Sequence, residues 1–335
     1  PSLFQMFSGC ASVERIRIAG VSDTADDRSR SITLPRDMDT SGTFTASRAF
    51  SDMATLSSVV LSSDTLEGDL ALFGRAVNLT YLFQDSFTSP AANGTPTSAR
   101  VQITNAFNSP QANLSYAFAG CDALENVTMQ DVGSGDAATL AHMFEGISGL
   151  REMTLVRVGA GASADLTSFA AGICARDMNG EDAHISLTSV GSGGASVLDC
   201  AFEGAFADAN TGPSSSVTFA IDASATDTPT LASARAMFYK GSAEATYLSH
   251  IDLSGLGNIA YSPARTASLA YMFAGDASLT NISLAPQNPD APFIGFATDM
   301  RYMFTGCAAL HDLDLTGVGT SRLEGATSGI GPSAM

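Results

Sequence analysis

The five cysteines have the most versatile chemistry in this sequence, because thiols form disulfides, bind metals and act as nucleophiles. Cys10, Cys121 and Cys307 recur at one position of a repeated unit. Cys10 and Cys121 are three copies apart, about 14 Å on a stack of strands, which exceeds the roughly 7 Å that a disulfide allows. We expect these three to be buried thiols. Cys174 and Cys200 lie in adjacent copies, which leaves a bridge between them open, and no cysteine spacing fits a zinc site.

The histidines and two aspartates are further candidates for catalysis. The histidines lie one to a copy: His142, His184, His250 and His311. A nucleophile needs a histidine and an orienting carboxylate within reach, and nothing in the sequence places such a set. Asp252 and Asp314 are predicted to share one exposed strand face, about 9–10 Å apart, a separation that an inverting glycosidase can use. Solvated surface charge is the interpretation that we prefer.

Asparagine-linked glycosylation is the modification that the sequence allows, through five sequons. We predict Asn93, Asn126 and Asn281 as glycan acceptors, and Asn93, in a long loop, is the first choice. Asn78 and Asn113 are instead predicted to cap helices.

The composition excludes several classes of partner. The net charge is −18, with 34 acidic and 16 basic residues, whereas nucleic-acid binding needs clustered Lys and Arg. Apolar runs stay below the roughly 20 residues that cross a bilayer. No Asp-x-Asp-x-Asp-Gly calcium loop is present. We therefore predict no nucleic-acid partner, no membrane span, no metal and no cofactor.

An internal repeat positions all of these residues. Ten copies align on a phenylalanine that copy six replaces by alanine, and the shortest interval is the 26 residues from Phe118 to Phe144. The anchors are Phe7, Phe50, Phe83, Phe118, Phe144, Ala170, Phe202, Phe238, Phe273 and Phe304. Longer intervals hold insertions such as 19–44, which we assign to edge loops. The repeat spans the chain, so we predict a single domain over 1–335.

Each copy begins with a predicted short helix. Leu269, Met272 and Phe273 have the i, i+3, i+4 spacing of one helix face. A residue that can cap a helix precedes them, here Ser268. A glycine follows, here Gly275, where a C-cap needs a left-handed residue.

A predicted strand follows the helix in each copy. Val127 and Met129 flank Thr128, and this period of two is typical of a strand with one buried and one solvated face. The outward residues form the predicted partner-binding face: Gln102, Thr128, Thr154, Ser186, Thr218, Asp252, Ser283 and Asp314. One such unit cannot bury its apolar face alone, so the copies should stack. We predict an α/β repeat fold, a right-handed solenoid of about ten turns of short helix plus strand, with a parallel sheet on one side.

The unit resembles the bacterial surface-protein repeats of the BspA-like and mycoplasma-lipoprotein type, a branch of the leucine-rich repeats. Their consensus, Met-x-x-Met-Phe-x-Gly-Cys and then Leu-x-x-Leu-x-Leu, is matched best over 114–129, 140–155, 269–284 and 300–315. The resemblance implies a leucine-rich-repeat-like solenoid. It also implies an extracellular or cell-surface protein, used for adhesion or as a structural part, without catalytic residues.

Two stripes of side chains are further candidates for contact with a partner. One recurs two positions before the anchor, and we interpret it as packing between copies: Tyr81, Tyr116, Tyr271 and Tyr302. The other is a ladder of consecutive hydroxyls on the strand face: Thr128, Thr154, Ser186 and Thr218. A hydroxyl ladder suits ice or another crystal surface, although threonine also favours exposed strand positions in general.

We expect a non-enzymatic surface or structural protein that binds a protein or glycan through its sheet face and loops. Binding to ice or a crystal surface is one alternative, and a polysaccharide-active enzyme is another. No polar helix covers the first or the last copy. We therefore expect a segment of a longer chain, or self-association with neighbouring chains in a filament.

Overall fold

The structure, a computed structural model, describes residues 2–18, 30–34, 44–61, 76–89, 99–175, 180–191, 196–207, 214–220, 230–240, 248, 250–253, 258–259, 268–283 and 299–313. These ranges contain strands and turns and no helix. In chain order the strands are β1 (Arg15–Ile18), β2 (Ser31–Leu34), β3 (Phe44–Thr45), β4 (Ser58–Leu61), β5 (Ala76–Asn78), β6 (Ala99–Ala106), β7 (Leu124–Val132), β8 (Ala137–Thr139), β9 (Glu152–Val156), β10 (Ser163–Asp165), β11 (His184–Thr188), β12 (Ser196–Val197), β13 (Ser216–Ala220), β14 (Thr230–Ser233), β15 (His250–Asp252), β16 (Asn258–Ile259), β17 (Asn281–Ser283) and β18 (Asp312–Leu313).

The main sheet has 11 strands in the order β18-β17-β15-β13-β11-β9-β7-β6-β4-β1-β2. It contains the strand predicted in every copy, and each of these strands pairs in parallel with that of the next copy. The remaining strand, β2, pairs with β1 at the edge. It lies within the insertion 19–44, so the assignment of that insertion to a loop is wrong for residues 31–34, and also for Phe44 in β3.

The alternation predicted for the strands is confirmed. Val127 and Met129 are buried in β7, and Thr128 between them is exposed. The inward residues of successive strands belong to one continuous apolar core. Leu284 and Leu315, which end the Leu-x-x-Leu-x-Leu pattern of copies nine and ten, lie outside the described residues.

The prediction of a short helix in each copy is wrong, because the described copies form a tight turn at that position. In copy four the N–H of Ala117 donates to the carbonyl of Leu114 at 3.0 Å, and Tyr116 between them has a φ of 59°. A left-handed third residue is typical of a type II turn and does not continue a right-handed helix. Leu114, Ala117 and Phe118 are nevertheless buried, so the apolar spacing serves the core in either conformation.

Hydrogen bonds between copies replace those of a helix. Alternate N–H groups of copy four donate to carbonyls of copy five: Leu114 to Thr139 (2.8 Å), Tyr116 to Ala141 (3.2 Å), Phe118 to Met143 (2.8 Å) and Gly120 to Glu145 (3.0 Å). The same register joins copies nine and ten, where Phe273 donates to Met303 at 2.9 Å. In a helix these N–H groups would bond within their own copy, so each turn here depends on its neighbour.

The residues predicted to cap helices cap these turns instead. The side-chain Oδ1 of Asn113 accepts from the backbone N–H of Ser115 at 3.0 Å, which is an Asx-turn. Equivalent contacts are made by Ser2, Thr45, Asn78, Asp165, Ser268 and Asp299. The capping oxygens of these seven copies were therefore predicted correctly, but the element that they cap was not. In copy eight the N–H of Arg235 donates instead to Asp199 of the preceding copy, at 2.8 Å.

A second parallel sheet precedes the turns, and the repeat pattern does not predict it. It has five strands in the order β16-β14-β12-β10-β8, and β3 pairs with β5 in the same position of earlier copies. Isolated bridges such as Asn78 to Asn113 and Asn113 to Thr139 continue the pairing between them. The copies are therefore joined by backbone hydrogen bonds on more than one side of the core.

The anchor phenylalanines stack along the core in two runs. The first is Phe7, Phe50, Phe83, Phe118 and Phe144, and the second is Phe202, Phe238, Phe273 and Phe304. The rings of Phe83 and Phe118 are 4.9 Å apart at an interplanar angle of 13°. Ala170 occupies the anchor position of copy six, and Phe169 packs edge-on against Phe144 at 5.1 Å and 90°. The break between the runs follows from that substitution.

Replacing Phe118 by alanine is expected to destabilise the fold by about 3–5 kcal/mol, because it removes a fully buried ring and leaves a cavity between two stacked neighbours. Phe4→Ala is the matched control, since that ring is 56% exposed and its loss should cost less than about 0.5 kcal/mol. Urea unfolding followed by circular dichroism measures both. Equal shifts of the two midpoints would contradict the proposed importance of the stack.

Candidate functional site: the outward face of the main sheet

The predicted partner-binding residues form a single row across the main sheet, which we call the central row. Register pairs join Gln102 to Thr128, Thr154, Ser186, Thr218, Asp252 and Ser283 on successive strands. The eighth, Asp314, lies outside the described residues. Thr128 and Thr154 are exposed, and the later members are half-buried. The row forms because the inward residues must all meet one core, which sets the register of every strand.

Two further rows flank the central row on the same face. The first row is Asn126, Glu152, His184, Ser216, His250 and Asn281, and the third row is Gln130, Val156, Thr188 and Ala220. Together the three rows make an array of short side chains, spaced by the strand separation of about 4.8 Å in one direction. The repeat pattern predicts the central row alone, and the paired registers add the other two.

A histidine–serine contact lies in the first row. His184 Nδ1 and Ser216 Oγ are 3.1 Å apart on the adjacent strands β11 and β13. Glu152 is the next member of the row beyond His184, but within the described ranges no carboxylate is in hydrogen-bonding contact with this imidazole. The pair therefore lacks the orienting group that nucleophilic catalysis uses. Thirty-two residues separate the partners in sequence, so only the strand register brings them together.

The predicted carboxylate pair is not assembled in the described residues. Asp252 lies in the central row at the end of β15, but Asp314 falls outside the described part of the chain. No group of three or more His, Cys, Asp or Glu residues is placed to hold a metal ion where the chain is described. In that same part, no helix is long and apolar enough to cross a bilayer.

The tyrosine stripe lies on the turns, away from the sheet face, and packs between copies. Tyr81, Tyr116 and His142 stack at centroid distances of 5.1 and 4.5 Å, and the Arg48 guanidinium lies 4.6 Å from the centre of the Tyr81 ring. A separate pair, Tyr271 and Tyr302, stacks at 5.0 Å. The ring faces that cover one another support the packing interpretation, while Tyr271 and Tyr302 remain 39% and 55% exposed.

The five cysteines are all free thiols, so Cys174 and Cys200 do not form a bridge. Cys121 is fully buried as predicted, and its thiol donates to the Phe83 carbonyl at 3.2 Å. Cys10 and Cys307 are only half-buried, so full burial was wrong for them. Desolvation raises the pKa of the Cys121 and Cys174 thiols far above 9 and that of Cys200 to about 12. Thiols held neutral in this way are poor nucleophiles and poor metal ligands.

The described sequons are of two kinds: some lie on the sheet face, and others cap the turns. Asn281 is exposed in β17 and Asn126 is half-buried in β7, both in the first row, while Asn93 lies outside the described residues. Asn78 uses its Oδ1 to cap a turn, accepting from the N–H and the hydroxyl of Thr80. Of the acceptors placed by the structure, Asn281 is the more accessible.

No protein-family model, curated protein or solved structure matches this chain.

Because two thiols are buried, the free energy of unfolding is expected to fall as the pH rises above about 9. Below pH 9 these thiols are neutral in both folded and unfolded chains; above it they ionise only in the unfolded chain, since burial raises the folded pKa of Cys121 and Cys174. Stability should then fall by about 1.4 kcal/mol per pH unit for each thiol. Urea unfolding between pH 8 and 10.5 checks this. The variant Cys121→Ala/Cys174→Ala should show a shallower decline, and an unchanged slope would contradict the assignment.

Proposed function

We propose that this chain is a non-catalytic extracellular surface or structural protein that uses the outward face of its main sheet, with the adjoining loops, for adhesion or assembly. The observation that carries the proposal is the alignment of Thr128, Thr154, Ser186 and Thr218 in one in-register row. These side chains stand on rigid strands rather than on loops, so a partner meets a preformed surface and little ordering entropy is lost on binding.

The architecture that we infer is a right-handed, leucine-rich-repeat-like solenoid. Support comes from the parallel pairing of each copy with the next in the main sheet and from the hydrogen bonds between successive turns. Crossover connections between parallel strands are right-handed in nearly all proteins. Repeats stacked in this way generate extended surfaces that bind large partners.

The extracellular placement rests on the resemblance to BspA-like repeats and on the composition. The copies at 140–155 and 269–284 carry the clearest match to that repeat. An exposed sequon at Asn281 and the net charge of −18 suit a secreted, soluble surface. The isolated His184–Ser216 contact supports a binding surface rather than a catalytic one.

Intact source cells labelled with an antibody against the chain should stain without permeabilisation. Purified protein should also bind such cells, and Thr128→Arg/Thr218→Arg should reduce the bound amount about tenfold, because two long cations interrupt the central row. Thr305→Arg is the matched control, since Thr305 is exposed on a turn away from the sheet. Staining that requires permeabilisation would overturn the proposal, and so would equal binding by both variants.

Binding to ice or another crystal surface is a second candidate, favoured by the same run of adjacent hydroxyls. The row is one residue wide, however, because Gln130, Val156 and Ala220 occupy the third row beside it. This candidate predicts thermal hysteresis for the wild-type protein and its loss in Thr154→Arg. A freezing point equal to the melting point would dismiss it.

A further inference from the structure

The outward face carries few charged side chains and no cation between β7 and β17. The charged residues of the three rows there are Glu152 and Asp252, a share close to the 15% of charged residues in the whole chain. The other members are hydroxyls, amides, imidazoles and two small apolar residues, Val156 and Ala220. A strongly charged partner would therefore find few complementary groups on this face.

The composition of the face also argues against a protein partner. The centres of protein interfaces are enriched in Trp, Tyr, Phe, Met and Arg, which supply most of the binding energy. From β7 to β17 none of these residue types stands in the three rows. Arginines enter the same rows only before β7, at Arg100 on β6 and at Arg15 and Arg17 on β1. The large rings of the chain are instead used in the core and in the tyrosine stripe.

What the face does offer is a repeating set of neutral hydrogen-bonding groups. Thr154, Ser186 and Thr218 follow one another at the strand separation of about 4.8 Å. His184 and Ser216 stand beside them, already in hydrogen-bonding contact at 3.1 Å. Short side chains on strands lose little rotamer freedom when they are held by a ligand. The complementary ligand is a neutral polymer that carries hydroxyls at a similar spacing.

We propose that the outward face binds a neutral polysaccharide that lies across the strands along the central row, with about one sugar ring to each strand. The inference rests on the proposed function and names the partner of that same surface. Hydroxyls of Thr154, Ser186 and Thr218 exchange hydrogen bonds with sugar hydroxyls, and no covalent step is involved. The imidazoles of His184 and His250 border the polymer on one side, in the first row.

The length of the row makes a distinctive prediction about the ligand. Each neutral hydrogen bond exchanged with water is weak, so affinity depends on the number of rings bound at once. The described central row crosses seven strands from β6 to β17, roughly 29 Å. Affinity for soluble neutral oligosaccharides should therefore rise with length and level off at about six or seven rings.

The experiment is a binding assay of the purified chain on insoluble cellulose, chitin, xylan and mixed-linkage glucan, with heparin, pectate and chitosan as charged comparisons. The wild-type chain should be retained by at least one neutral polymer and not by the charged ones. Thr154→Arg should weaken retention about tenfold, and Thr305→Arg should leave it within about twofold. Thr154→Val keeps the shape of the side chain but removes its hydroxyl. Weaker retention of that variant would show that hydrogen bonding contributes to binding. This readout holds even if the arginine variant folds poorly.

Several outcomes would overturn the inference. These are retention on charged polymers alone, no retention on any neutral polymer, equal loss in Thr154→Arg and Thr305→Arg, or cell binding that survives enzymatic removal of neutral glycans. Each of them leaves the labelling of intact cells unaffected, so the failure of this inference is distinguishable from the failure of the proposed function. Thermal hysteresis without polysaccharide binding would assign the same row to ice.

Discussion

The hydrogen bonds that run from one copy to the next are the interaction on which the rest of this structure depends. Within a turn, the N–H groups of Leu114 and Phe118 point along the stack and donate to Thr139 and Met143 of the following copy. Buried backbone groups without partners are costly, so a single copy cannot satisfy its own turn. Stacking is therefore required by the backbone as well as by the apolar side chains. Both the turn and the apolar positions recur once in every copy, so one stacked arrangement satisfies both.

This constraint also explains the outward face. Since backbone pairing holds successive strands in parallel and the inward residues must reach the core, the register cannot slip by one residue without exposing that core. Outward residues that are far apart in sequence consequently fall into rows. Thr128 and Thr218, which are 90 positions apart, belong to one row for this reason. A binding surface can then evolve by substitutions that leave the fold untouched.

The stack also separates the chemical roles of its side chains. Aromatic rings are placed in the core and on the turns, where Phe83 stacks on Phe118 and Tyr81 on Tyr116. Thiols such as Cys121 are withdrawn into the core, and their burial raises the pKa. The sheet face between β7 and β17 keeps mostly hydroxyls, amides and imidazoles, with Glu152 and Asp252 among them. Where Ala170 replaces the anchor phenylalanine, Phe169 packs edge-on against Phe144 instead.

By itself, the sequence located the main-sheet strand of each copy and the face that its described residues present, because a period of two places alternate side chains on opposite faces. It also identified the capping oxygens, such as Asn113 Oδ1. The tertiary structure decided that Leu114 to Gly120 is a turn, since the i, i+3, i+4 spacing fits either conformation and hydrogen bonds to the next copy favour the turn. It alone revealed β2, the second sheet and the His184–Ser216 contact, because their partners come from neighbouring copies.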